Sequence, residues 1–267
     1  YTGGRTFFVE RPELTEVIPD IDPEEDPTAP PTSLIEAMQV FFLGVVKGMR
    51  NREGRKRSMM IHPSQLTYTH ADYFRFVTNI QNHFVEVLSL PDDNPDKQDL
   101  LNEFRVAYND LARTTTDLPP FEELTGHRLR HAINSTVIQS LNSRGGNRTI
   151  VEWRNNYSFI LVGGQAMDRG FTVEGLTVTY MPRNIGVGNV DVILQRARFF
   201  GYKRAYLGYC RVFLDRVTID TYDSIIDHEE NVREQLEEFD INNKPLNNWN
   251  REAVLDMMLN LTRANIL

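Results

Sequence analysis

The residues best suited to chemistry lie in "ILVGGQAMDRGFTVEGLTVTYMPR", positions 160 to 183. An apolar run reaches Gly163 and Gly164, passes through Gln165, Asp168, Arg169 and Gly170, and then becomes apolar again. Glycines at the end of a strand let backbone amides approach a phosphate or ribose where a side chain would block them. An arginine beside such a turn can pair bidentately with phosphate or carboxylate. A second group follows in "LQRARFFGYKR", which supplies Gln195, Arg196, Arg198, Lys203 and Arg204. A glutamine and arginines on one short helix suit the stabilisation of charge during phosphoryl transfer. "MIHPS" adds His62 and Ser64 at a third strand end. The bland alternative for the glycines is a tight turn with a surface ion pair.

Other candidates carry less. His127 and His131 have the i, i+4 spacing of a zinc pair, but Arg128 stands where a zincin has its glutamate, so they read as helix-surface histidines. His62 and His70 lack an acidic or cysteine partner at ligand spacing, and no metal site is expected. Trp153 beside Arg154 reads as a half-buried core residue, with stacking on a base as the alternative. No carboxylate constellation for metal-dependent nucleic-acid cleavage stands out. The sequence has no G-x-x-x-x-G-K-[ST] phosphate loop, so the half of a motor that would hold triphosphate and magnesium is not in it. Between Lys47 and Arg57 lie six basic residues, among them Arg50, Arg52, Arg55 and Arg57. They read as a solvated loop or as a phosphate-facing rim.

The elements that must position these residues follow from periodicity. "SMMIHPS", "TVIQSLNS", "YSFILVGG", "GLTVTYMP" and "GYCRVFL" are short strand candidates, and "VDVILQRARFF" is a helix between the last two. Short apolar strands alternating with helices indicate an α/β fold with a parallel sheet. Ser33 with Glu36 predicts a capping box opening the helix "SLIEAMQVFFLGVVKGM". Glu36 and Gln39 interrupt that helix, which is short for a bilayer and reads as core. Thr69 with Asp72 predicts the start of a helix with Tyr73, Phe76, Val77, Ile80, Phe84 and Leu88 on one face. Two more helices complete a block over about 69–134. The leader, 1–32, is acidic and proline-rich and predicts an extended connector, while 217–267 predicts an acidic helical extension with Ile225, Ile226, Val232, Leu236 and Phe239 inward.

Composition sets the outer limits. With 267 residues, 40% hydrophobic and 25% charged, the chain can bury a full core. Its net charge of -8 argues against non-specific coating of nucleic acid, but leaves room for a local basic groove. The single cysteine, Cys210, lies in an apolar run and reads as a buried inert thiol, compatible with a cytoplasmic protein. Nothing at the start reads as a signal peptide, and a chain beginning at Tyr1 reads as a fragment or a processed product.

The blocks in this order resemble motifs IV, V and VI of the second RecA-like domain of superfamily-two helicases. "SMMIHPS" takes the place of motif IV, "GGQAMDRGFTVEGLTV" of motif V, and "QRARFFGY" of motif VI. More narrowly, "MIHPS", "LVGGQAMDRGFTVEGLTV" and "QRARFFGY…YCRVF" resemble the Z-one domain, a bacterial and phage family of endonuclease-associated proteins with helicase-like parts. The resemblance covers roughly residues 30 to 240. It implies a RecA-like sheet over 33–216 with a helical insertion. It also implies that Arg169 and Gly170 match the motif V pair, that Gln195 opens motif VI, and that Arg198 is its first arginine finger. Thr172 stands where helicases place a ribose-binding aspartate, Gly164 at a threonine position, and Gly201 at the second finger, for which Lys203 or Arg204 are the substitutes. ATP and Mg²⁺ are expected only together with an upstream ATPase domain of the same protein, with none bound by this chain alone. DNA is the expected nucleic-acid partner, and no membrane is expected. The whole would be a helicase-like hydrolase in DNA processing or phage defence. The alternatives are a non-catalytic binding module that has lost nucleotide function, and a nuclease with its own metal site.

Overall fold

The computed structural model describes residues 2–19, 28–63, 67–141, 150–164, 172–182 and 190–241. Its centre is a six-stranded sheet: β1 (Thr15–Val17), β2 (Arg57–Ile61), β3 (Val137–Leu141), β4 (Ser158–Gly163), β5 (Leu176–Met181) and β6 (Arg211–Leu214). The spatial order is β1-β6-β5-β2-β4-β3, and every neighbouring pair is parallel. The strands β2, β4, β5 and β6 are buried at every position. Continuous burial is what a parallel sheet covered on both faces requires. This is the α/β, RecA-like architecture expected from the alternation of strands and helices.

One face of the sheet carries α1 (Thr32–Arg50), α2 (Thr67–Val87), α3 (Pro95–Thr114), α4 (Phe121–Leu124) and α5 (His127–Ser135). Alternation within the strands divides the side chains. Met59, Ile61, Ile160, Val162, Val178 and Tyr180 join this helical layer. The stripe Tyr73, Phe76, Val77, Ile80, Phe84 and Leu88 is buried as its spacing requires. Each such side chain stabilises the fold by about 1.5–3 kcal/mol relative to exposure. The 18-residue apolar window of α1 passes a length-and-composition test for a membrane span, yet 78% of it is buried inside the protein, so it is a core helix.

The opposite face is divided. Met181, Val212 and Leu214 pack with Ile193 and Ala197 from the α6 (Val190–Arg196) region and with Tyr222 and Ile225 of α7 (Arg216–Ile241). Met60, Phe159 and Leu161 pack instead with Val151, and with the partly buried Trp153 and Val173. Trp153 meets Phe159 edge to face at 4.9 Å, which makes it a core residue. Val232 and Leu236, expected inward on α7, are only half-buried, and the Phe239 side chain is outside the described ones.

Three local expectations need correction. The leader is not merely a connector over residues 2–19: Phe7 and Leu14 are fully buried, and Thr15–Val17 pairs with Val212–Leu214 as an edge strand. Apolar residues scattered between prolines and acids gave no period to reveal it. The Ser33 capping box does not form, because α1 starts one residue earlier with Pro31 as N-cap and no side-chain cap bond. Ser33 instead bonds the Tyr180 hydroxyl at 2.9 Å. Helix α2 starts at Thr67, ahead of Thr69.

Candidate functional site

The sheet has two unlike edges, and the candidate residues divide between them. At the carboxyl edge, Ile61 of β2 lies level with Val162 of β4 on one side and Tyr180 of β5 on the other. His62 therefore emerges between Gly163 and Met181, its amide donating to Tyr180 O at 2.9 Å. The three strands that precede the motif-like blocks are the contiguous central trio β5-β2-β4. Connections leaving adjacent parallel strands at their carboxyl ends are where open α/β sheets bind ligands. His62 is 7% exposed and His70, in the first turn of α2, is 4% exposed. Ser33 at the head of α1 closes the same edge through Tyr180. Burial, and next the Tyr73 hydroxyl, push the Tyr180 phenol far above its ordinary value against the lowering effect of the Ser33 hydrogen bond, so it stays protonated and structural.

Gly163 and Gly164 are both buried at the end of β4. Gly163 is level with Leu141 of β3, and a Cβ built on it would lie 2.6 Å from the Leu141 carbonyl oxygen. Close packing of two strands thus requires this glycine without any ligand. Gln165, Asp168, Arg169 and Gly170 fall outside the described residues, as does Ser64.

Along α6 the residues separate by depth. Gln195 is exposed, Arg196 is 6% exposed, and Arg198 is half-buried just beyond the helix. Ala197 and Phe199 anchor this stretch in the core, and the Tyr222 hydroxyl donates to Ile193 O at 3.1 Å. Arg198 is thereby held on a fixed piece of backbone with its side chain partly in solvent. The substitute fingers fare differently. Lys203 is 4% exposed, its Nζ donating to Leu176 O, and burial lowers its pKa. It points into the core at the start of β5 and cannot act as a finger, which corrects that expectation; Arg204 is exposed. Gly201, at the second-finger position, has φ 138 and bridges Thr2 through backbone bonds of 2.7 and 2.8 Å. A left-handed φ there favours glycine, so the departure from the helicase pattern has a local structural cause.

The basic run lies at the amino edge, the opposite end of the sheet. Arg57 is the first residue of β2, level with Ser158 at the start of β4. It is 1% exposed, paired with Glu53 and set over the Tyr206 ring at 5.3 Å. Arg57 is therefore not part of a nucleic-acid rim. A buried arginine with a carboxylate partner is a packing element, and nothing in its sequence neighbourhood distinguishes it from Arg55. Arg50 pairs with Glu123, while Arg52 and Arg55 are exposed. The set Arg50, Arg52, Arg55, Arg57, His62 and Ser64 is thus not one surface: the arginines and His62 sit at opposite ends of β2.

Three buried cations at the amino edge, Lys47, Arg57 and Arg211, have carboxylate partners. Lys47 Nζ lies 2.7 Å from Glu53 and 2.8 Å from Asp117. Burial by itself would lower the Lys47 ammonium, but the two carboxylates outweigh it and the net shift is upward. The Lys47 hydrogen bond in turn holds Asp117 below the usual carboxylate range. Arg211 uses its whole guanidinium: Nε donates to Asp110 Oδ2 at 2.7 Å, Nη2 to Asp110 O and Thr114 Oγ1, and Nη1 to Cys210 O and Gly208 O. Cys210 is 1% exposed, and burial raises its thiol pKa, leaving it unreactive as its context predicted. His127 and His131 are exposed on α5 with parallel rings 6.1 Å apart. Among the described residues, no three His, Cys, Asp or Glu side chains group as metal ligands.

Comparison with known families decides the membership. The family model described as the Z1 domain (Z-one above) matches residues 33–253. The chain belongs to the Z1 domain family. No curated protein and no solved structure matches it at a significant level. The Z1 match spans the helical insertion and all strands except β1.

Proposed function

We propose that this Z1 chain is the second RecA-like domain of a nucleic-acid-dependent ATPase acting on DNA, within an endonuclease-associated or phage-defence system. The adjacency of β5, β2 and β4 carries the reading, since the motif IV-, V- and VI-like blocks then leave one edge of one sheet. No spacing in the sequence dictates that adjacency. ATP would supply the phosphoryl group and leaving group, held with Mg²⁺ mainly by an upstream domain of the same protein. The residues present here fit the opposing role. Arg198 is partly solvent-facing on an anchored backbone. Its guanidinium would meet charge developing on the transferred phosphoryl oxygens. Gln195, exposed one turn earlier, would orient the same interface, and Arg169 with its glycine turn would couple β4 to DNA or the facing domain. Strand-end backbone at His62 and Gly164 would form the floor.

The experiment is a comparison of the complete protein with this chain alone. DNA-stimulated ATP hydrolysis in the complete protein and none in the chain supports the reading. Turnover by the purified chain, or a complete protein unresponsive to DNA, overturns it.

A second reading, a binding module without nucleotide function, draws on Gly201 and Lys203. One position of the finger pair is a constrained glycine, and Lys203, one of its two substitutes, is buried. A complete protein that binds DNA or a partner but hydrolyses no ATP would select this module.

A further inference from the structure

A groove of about 660 Å³ runs between α1, α3 and the β1–β6 end of the sheet. Helix α3 packs on α1, and α1 in turn meets β6. The groove floor is apolar, with Val40, Ala107 and Phe213 among the lining residues and all three buried. Two large apolar side chains stand exposed on its walls, Val17 at 39% and Val106 at 71%. Exposed valines beside an apolar floor are the composition of an interaction surface rather than of a solvated helix face.

The rim is mainly acidic. Among the described residues, Glu16, Glu36, Glu103 and Asp110 line it together with Arg113, which lies 3.5 Å from Asp110. Asp110 already serves Arg211 at 2.7 Å, and Glu103 accepts from the Gln39 amide at 2.8 Å. Burial, and next the Asp110 carboxylate, push the Glu16 carboxyl above its ordinary value. Among the described lining residues acids outnumber cations, and a positive group delivered beside Glu16 and Glu103 would lower the electrostatic cost. Along α3 the lining runs from Glu103 to Arg113, about 15 Å or three turns of a facing helix.

We infer that this groove docks a helical segment of a partner, with apolar side chains on one face flanked by lysines or arginines. The apolar face covers Val106, Val17 and Phe213, and the flanking cations meet Glu16 and Glu103. A helix-in-groove mode uses this division between apolar anchors and charged flanks. The inference is independent of any role in ATP hydrolysis, because the groove shares no residue with the candidate site.

The test uses the whole chain and two fluorescein-labelled 18-residue probes, a Leu/Lys amphipathic helix and its Leu/Glu counterpart. Fluorescence anisotropy is expected to show the Leu/Lys peptide binding with Kd on the order of 10 µM, and the Leu/Glu peptide not binding. Val106→Asp and Glu103→Lys, each checked for an unchanged circular dichroism melt, should each weaken binding at least tenfold. Absence of binding at about 100 µM, or binding untouched by both variants, overturns the proposal. So does sedimentation showing a wild-type dimer that Val106→Asp dissolves, since the groove would then be a face between copies.

Discussion

The two edges of the sheet use polar residues in opposite ways. At the amino edge, Lys47, Arg57, Lys203 and Arg211 are buried and each has a stated partner. At the carboxyl edge the described stretches after β2, β4 and β5 reach Pro63, Gly164 and Pro182. The amino edge is a clamp that fixes where the strands begin. The charges of Lys47, Arg57 and Arg211 are matched in place by carboxylates, so these three hold little spare field for a phosphate. The partly exposed Arg198 lies two residues beyond the end of α6. A dense patch of basic residues in a sequence is thus poor evidence for a phosphate surface when acidic residues from distant segments can reach it.

Breaking the clamp should cost stability and leave the carboxyl-edge chemistry per folded molecule alone. The largest effect is expected at Gly175, which has φ +62 and whose added Cβ would lie 1.8 Å from the Lys56 carbonyl oxygen. Gly175→Ala should destabilise by about 4 kcal/mol or more, in the exceptional range for one substitution, measured by urea denaturation. A change under about 1 kcal/mol would show that the β5 entry turn is not fixed against β2. Asp110→Ala comes next, because it strips the carboxylate from a fully buried Arg211. About 3 kcal/mol is expected for an uncompensated buried charge, reduced by solvent reaching the half-exposed acid side. A double variant with Arg211→Met that recovers stability would place the cost in the orphaned guanidinium.

A smaller, pH-dependent effect belongs to Asp117. Its folded-state pKa is depressed by Lys47, so the stability it adds is present above the unfolded value and is lost as pH falls through the folded value. Wild type should therefore lose more of its urea midpoint between pH 7 and pH 3 than Asp117→Asn does. Equal losses would detach Asp117 from the clamp. The exposed Asp117 side chain keeps this contribution modest. The smallest effect is expected for Arg55→Glu, at an exposed site on the amino edge. Stability should stay within about 0.5 kcal/mol, and DNA binding by the chain should be unchanged; a large loss of DNA binding would move the nucleic-acid surface to this edge.

Much of this was legible from periodicity. The short apolar runs around Met59–Ile61 and Ile160–Val162 showed as buried strands, while the division of their side chains between two faces came from the structure. The helical block showed itself through the Tyr73 to Leu88 stripe. What stayed hidden depended on contacts between distant segments. β1 is three residues long and holds its place through β6, nearly 200 positions away. Ser33 looked like a cap because its local pattern fits one, yet its hydroxyl partner is Tyr180. Arg57 and Arg55 are alike in sequence, and only the approach of Glu53 and Tyr206 separates them. Gly163 suggested a ligand, whereas the Leu141 carbonyl already explains it. Of the candidate site, Arg198, Gln195 and His62 have observed positions, and the Asp168–Arg169–Gly170 turn lies outside the described residues.

The central claim is that Arg198, and not the basic amino edge, acts on the nucleotide. Its most direct test is Arg198→Ala in the complete protein, with DNA-stimulated ATPase rate and melting temperature measured on the same preparation. Loss of a finger that meets transition-state charge should lower kcat by roughly a thousandfold or more while sparing most ATP binding, with an unchanged melting temperature. A stably folded variant that hydrolyses ATP at the wild-type rate would contradict the account.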